Sequence, residues 1–298
     1  MNVIRKQGEP DLATVYIAEL DDGELIEFVE SVQPPIPASE KWVLIVSTLR
    51  GCPVSCPICD AGKRYAGKLS AGEILDQIDY MVNKRYSDGK IPVNKFKIQF
   101  ARMGDPAFNP AVLEVLEELP VIYDAPGLIP CISTVAPHET DVFFERLAEV
   151  KNRLYPYGNF QMQFSLHTSS ENARRKLIPV RTWSFKKMSD WGSEFYSNGD
   201  RKIALNFAPV EDFPVEPSVI ADIFSPEHFM IKLTPVNPTR SSMHEEIAGT
   251  IDPDDPGSAD HLVRQFQSAG FDTILSIGET RENQIGSNCG MYVGQVSS

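Results

Sequence analysis

The sequence is short of several features, and each shortage excludes a class. No apolar run approaches the ~20 residues a membrane-crossing helix needs, so a helical membrane-spanning protein is excluded. The opening Met1-Asn2-Val3-Ile4-Arg5-Lys6 leads into polar sequence without the apolar stretch of a signal peptide, which makes a cytoplasmic protein the expectation. Positive charge is scarce: 28 Lys and Arg stand against 41 Asp and Glu, a formal net charge of −13. Nucleic-acid binders draw affinity from Lys and Arg on phosphates, so this balance weighs against a large RNA partner. The strongest local exception is Arg174-Arg175-Lys176 with Lys186-Lys187, readable as an RNA footprint or as a solvated helix face. Five cysteines, an odd number in a chain expected to be cytoplasmic, argue against a disulfide framework. Internal repeats and low-complexity tracts are absent, which excludes solenoids.

What is present suits a globular α/β protein. The chain has 298 residues, 42% hydrophobic and 23% charged, enough for one large core with a small appendage. Ala13 to Glu19 and Glu24 to Ser31 flank Asp21-Asp22-Gly23 and read as a hairpin, followed by a Pro-rich link at Pro34-Pro35-Ile36-Pro37. From residue 41 strand and helix signals alternate, the pattern of a parallel sheet or barrel. Strands are expected at Trp42 to Val46, Phe96 to Phe100, Leu128 to Ser133, Phe160 to Leu166, Lys202 to Ala208 and Phe229 to Leu233, with a seventh at Asp272 to Ile277. Between them, Ser70 with Glu73 forms a capping box before Ile74, Ile78, Met81 and Val82, Asn109-Pro110 opens a second helix, and Asp141 to Leu154 and Pro217 to Phe224 read as helical.

The distinctive residues fall just after these strands. A cysteine cluster follows the first, Gly104-Asp105-Pro106 the second, Ser133-Thr134 ends the third, Ser165-Leu166-His167 the fourth, and Asn237-Pro238 follows the sixth. In α/β barrels that rim is where chemistry is built.

Cys52, Cys56 and Cys59 stand in the spacing C-x3-C-x2-C within Gly51 to Gly62. Three thiolates on one short loop ligate three irons of a [4Fe–4S] cluster and leave the fourth iron open. Structural zinc would call for a fourth Cys or His nearby, and the nearest His is His138.

This spacing resembles the radical-SAM superfamily, and the resemblance narrows to the RlmN/Cfr-type methyltransferases, which methylate a ring carbon of an adenine in ribosomal RNA. Beyond the cysteine loop it is carried by Val46-Ser47-Thr48-Leu49-Arg50-Gly51, Met103-Gly104-Asp105-Pro106, Ile132-Ser133-Thr134, Phe164-Ser165-Leu166-His167-Thr168, Leu233-Thr234-Pro235-Val236-Asn237-Pro238, and Thr280-Arg281-Glu282 through Asn288-Cys289-Gly290, in the family's order. It implies a partial (β/α)6 radical-SAM barrel over 38–278, a small N-terminal β-hairpin extension with linker over 1–37, and a C-terminal tail over 279–298 carrying Cys289. It further implies that S-adenosylmethionine (SAM) chelates the open iron, that Gly104 and Asp105 meet its amino group, with Asp105 where the family has Glu, and that Ser133, Ser165, Leu166, His167 and Asn237 line the rest.

By the same resemblance Cys289 takes a methyl group from one SAM, and a 5′-deoxyadenosyl radical from a second converts it to a carbon radical that adds to the acceptor. A solvent-facing loop thiol is the other reading of Cys289. The family has a resolving cysteine seven residues before the first cluster cysteine; here that residue is Ile45, and Cys131, the remaining cysteine, reads as core. Glu27 matches a family glutamate that assists deprotonation, or is an exposed strand carboxylate. The family's helical RNA-contacting region has no counterpart in the ~40 residues before the barrel. With the acidic charge, this favours a small-molecule or peptide acceptor with an sp2 carbon. The alternatives are hydrogen abstraction or rearrangement without methyl transfer, RNA adenine methylation with a partner protein, and a non-enzymatic cluster scaffold. A flavodoxin- or ferredoxin-type electron donor is implied; oligomeric state is left open.

Overall fold

The structure, a computed structural model, describes residues 1–32, 34–278 and 280–287. Three strands open it: β1 (Asn2–Glu9), β2 (Ala13–Glu19) and β3 (Leu25–Ser31), paired antiparallel in that order. The expected hairpin is β2–β3. The additional β1 is a polar edge strand, NVIRKQGE, whose lack of a clean alternating pattern hides it in the sequence. β3 pairs antiparallel with β4 (Lys41–Val46), so the opening strands and the parallel strands share one sheet.

A small ribbon then leaves the main sheet. β5 (Leu49–Gly51) pairs antiparallel with β6 (Tyr65–Lys68), and the cysteine loop is strung between them. α1 (Ala71–Arg85) follows with the expected capping box: the Ser70 side chain accepts from Glu73 N at 3.2 Å, and Ser70 N donates to Glu73 at 2.7 Å. Ile74, Ile78, Met81 and Val82 form its buried stripe, and Trp42, Leu44 and Val46 belong to the same core.

The remainder alternates: β7 (Lys95–Phe100), α2 (Ala111–Ile122), β8 (Leu128–Thr134), α3 (Asp141–Leu154), β9 (Gln161–Ser165), α4 (Glu171–Leu177), α5 (Phe185–Phe195), β10 (Ile203–Phe207), α6 (Pro217–Ala221), β11 (Phe229–Leu233), α7 (Arg240–His244), α8 (Asp260–Ser268), β12 (Thr273–Leu275) and α9 (Thr280–Ile285). The main sheet runs β1-β2-β3-β4-β7-β8-β9-β10-β11-β12, parallel from β4 onward. This is the α/β class with the parallel sheet expected. The sixth helix is shorter than expected, because residues beyond Ala221 turn away toward β11, and the last strand keeps only Thr273–Leu275. β10 is buried throughout, as parallel strands covered on both faces are. Among the described residues no helix is long and apolar enough to cross a membrane.

Candidate functional site

One cavity of about 340 Å³ is lined by residues from β4 through β11, so the sheet curls around it. The loop between β5 and β6 forms one wall and contributes Cys52, Cys56 and Cys59, all half-buried. Its path is set by close backbone approach. Gly51 has φ +85°, and a Cβ there would lie 1.5 Å from Arg64 O; a Cβ on Gly62 would lie 2.4 Å from Ser55 Cα. Cys52 N donates to Arg64 O at 3.2 Å, Cys59 N to Cys56 O at 3.0 Å, and Ser55 Oγ to Gly62 O at 2.9 Å. The Asp60 carboxylate accepts from Ser241 N (2.8 Å) and Ser241 Oγ (2.7 Å), tying the loop to α7 across the rim. Asn109 supports the loop's base, donating to Thr48 O at 2.8 Å and Leu69 O at 2.7 Å.

Burial pushes the Cys52 thiol up to about 11 and Cys56 well above its ordinary value, the latter also through Cys59, Cys52 and Asp105 nearby. Such thiols ionise readily only onto a cation, the behaviour of metal-ligating cysteines. Among the described residues no three His, Cys, Asp or Glu groups converge on a single-ion position. Three thiols spread along one cavity wall fit a bulky iron–sulfur cluster better than one tetrahedral ion.

Gly104, Asp105, Ser133, Ser165, His167 and Asn237 line the same cavity as the three cysteines. Gly104 has φ +94°, and a Cβ would lie 2.4 Å from Leu49 Cγ. Asp105 is buried at the head of a short turn: Oδ1 accepts from Thr134 Oγ1 (2.7 Å) and Ala107 N (3.0 Å), and Oδ2 from Val135 N (2.7 Å). Burial still raises its pKa to about 6 against these donors and Arg174. His167, at φ +65°, accepts from Ala208 N at 3.1 Å through Nδ1; burial, then Arg174, lowers its pKa to about 4, so the imidazole is neutral. Leu166 departs from this set: its side chain is fully buried in the main core rather than lining the cavity. Asn206, which the sequence did not flag, lines the cavity with a buried Oδ1 that has no hydrogen-bond partner among the described residues. That atom fits a wall built to meet a bound molecule.

Two arginines of the site also escaped the sequence reading. Arg174 corrects the expected basic patch, because it is not on the surface. Its guanidinium is buried and donates to Thr182 Oγ1 (2.7 Å), Val135 O (2.9 Å) and Ser165 O (2.7 Å), bracing the ends of β8 and β9. The available signal was helical spacing, since Arg174 shares a face with buried Leu177 and Ile178. Of the rest of that patch, Lys186 pairs with Asp190 and Lys187 with Asp141. Arg102 lines the cavity, is buried, and forms an ion pair with Glu27. Glu27 is therefore not an exposed strand carboxylate: its residue is 0% exposed, with its carbonyl accepting from Ser47 Oγ at 2.5 Å. Ile45 is half-buried and lines the cavity, whereas Cys131 is buried, bonds Ile129 O at 3.4 Å and is absent from the cavity lining. Cys289 lies outside the described residues.

No family model matches the chain. Sequence relatives include the dual-specificity RNA methyltransferase RlmN of Pseudomonas entomophila, 22% identical over 99% of this chain and 74% of the relative. The probable RlmN of Corynebacterium efficiens is 24% identical over 100% of this chain and 77% of the relative. Among solved structures, a radical SAM methyltransferase from Sphaerobacter thermophilus superposes with a TM-score of 0.73 at 18% identity, over 97% of this chain and 80% of that one. Streptococcus suis SuiB bound to S-adenosylmethionine gives 0.54 at 16% identity, over 80% of this chain and 51% of that one. Along nearly its whole length the chain is similar in sequence to RlmN-type RNA methyltransferases, and it shares the fold of a solved radical SAM methyltransferase.

Proposed function

We propose that this protein is a radical-SAM methyltransferase that holds a [4Fe–4S] cluster on Cys52, Cys56 and Cys59 and carries a one-carbon unit on Cys289 to an sp2 carbon of a small-molecule or peptide acceptor. The observation that carries the reading is the gathering of the three thiols with Gly104, Asp105, Ser133, Ser165, His167 and Asn237 around one cavity. A reduced cluster held there, fed by a flavodoxin- or ferredoxin-type donor, would supply the electron for reductive cleavage of SAM. The chain's own groups would do the holding. Asp105 offers SAM's amino group a carboxylate already fixed by three donors, and Gly104 lets the backbone approach. His167, held neutral, adds no charge of its own beside a sulfonium. Leu166 enters only through its backbone, since its side chain is core. Ile45 in the cavity wall, with Cys131 buried away from it, leaves release of the product without an internal disulfide between residues 45 and 289. A cytoplasmic setting suits thiols that must stay reduced.

RNA is the second reading for the acceptor, favoured by what the relatives act on. The burial of Arg174 and the acidic partners of Lys186 and Lys187 thin the surface that would meet phosphates. Peptide mass spectrometry of the anaerobically reconstituted protein before and after SAM decides the mechanism. A methyl increment on the Cys289 peptide with release of S-adenosylhomocysteine is expected. An unmodified Cys289 beside accumulating 5′-deoxyadenosine would overturn the carrier role in favour of hydrogen abstraction. RNA binding that weakens steeply with salt would move the acceptor to RNA.

A further inference from the structure

The segment leading to Cys289 is held by residues to which the proposed chemistry gives no work. Arg102 donates from one guanidinium to two consecutive carbonyls, Gly286 O at 2.7 Å and Ser287 O at 2.9 Å, while forming an ion pair with Glu27 on β3. Arg102 is 6% exposed and Glu27 0%. A planar fork with five donors suits this bridge, since it meets a carboxylate and two carbonyls together, which a lysine ammonium does not do with fixed geometry. A buried carboxylate is tolerable only beside such a partner. Glu27 therefore aims Arg102, and Arg102 seizes the tail.

The opening strands complete the grip. Ile285 packs in an apolar cluster with Leu12, Ala13, Val15, Ile17 and Val29. Ser31 Oγ donates to Glu282 at 3.3 Å, and Glu282 O in turn accepts from Ser287 N at 3.0 Å. Polar and apolar contacts on separate elements thus hold residues 282–287, immediately ahead of Cys289.

We propose that Arg102 and Glu27 are positioning residues: a buried clasp that seats the carrier tail on a platform made by β1–β3, with Glu27 serving to orient Arg102 rather than to take a proton from substrate. This rests on the reading of Cys289 as carbon carrier. The test uses the anaerobically reconstituted full chain and the variants R102K and E27Q, with I285A loosening the apolar side should the clasp variants fold poorly. Hydrogen exchange of the peptide covering 280–287 and the rate of Cys289 methylation by SAM are read in parallel with SAM binding by equilibrium dialysis. Losing one of the two carbonyl bonds is expected to speed exchange over 280–287 by about tenfold, with methylation slowed by a similar factor and SAM binding unchanged. Exchange over 280–287 that stays at the wild-type rate in R102K and E27Q, or in I285A where those do not fold, overturns the clasp. So does an E27Q protein whose tail and methylation are intact but which forms no product, the signature of a proton acceptor. Were wild-type Cys289 never methylated, the carrier reading would fall while exchange still judged the clasp: faster exchange supports it, unchanged exchange overturns it.

Discussion

Replacing Arg174 by methionine tests whether the site is braced from within. Arg174 is 2% exposed and bonds Thr182, Val135 and Ser165 at 2.7–2.9 Å, with its guanidinium 5.6 Å from the Phe185 ring. Hydrogen bonds from a charged donor contribute about 1.5–3 kcal/mol each. Against them stands the burial of the guanidinium, which lowers its pKa to about 10 and, at about 1.4 kcal/mol per unit of lowering, opposes the charge by roughly 3 kcal/mol. The balance leaves a net loss of about 4 kcal/mol in R174M, a fall in Tm of roughly 8–16 °C. Arg175, one residue on and exposed, is the control: R175M changes stability by less than about 0.5 kcal/mol. Urea unfolding followed by circular dichroism under anaerobic conditions measures both. SAM affinity in R174M is expected to fall as well, because Val135 N and Ser165 O flank groups facing the cavity. Equal, small effects in the two variants would refute the internal brace and return Arg174 to the surface patch.

Further expectations concern single groups. His167 has a folded pKa near 4 against an ordinary 6.5, so the fold favours the neutral ring; that stability is complete above pH 6.5 and is lost as pH falls toward 4, amounting to about 3 kcal/mol. The wild-type minus H167Q difference in unfolding free energy, followed from pH 7 to 4, should shrink by that amount, and a flat difference would contradict it. G51A should abolish iron uptake on reconstitution, since the new Cβ meets the Arg64 carbonyl at a positive φ. G72A should stabilise by about 0.5–1 kcal/mol, because Gly72 lies in α1 with nothing within 4 Å of an added Cβ.

What sequence could reveal here was local. The cysteine spacing, the Ser70–Glu73 capping box and the strand ends at Ser133 and Ser165 depend on neighbours a few residues apart, and all were legible. Arg102 was not, because its carbonyl partners lie 184 and 185 residues away. Arg174 was misread for a related reason. It sits among exposed cations in sequence, and only the packing of α4 on the ends of β8 and β9 turns it inward. For Glu27, alternation along a strand suggests one wet face, yet β3 is buried from Ile26 to Ser31 because its sheet is covered on both sides, with the tail on one of them. The β5–β6 ribbon escaped notice because three- and four-residue strands carry too little pattern.

Among the described residues β1 and β12, the outer strands of the main sheet, do not pair with each other, and an outer strand offers unpaired backbone to any passing strand. Here both outer strands discourage such pairing. β1 carries exposed Arg5 and Lys6 beside an irregularity between Val3 and Arg5, which breaks the regular ladder another chain would need. β12, at the opposite border, is three residues long. The sheet's borders are thus kept from serving as templates for aggregation.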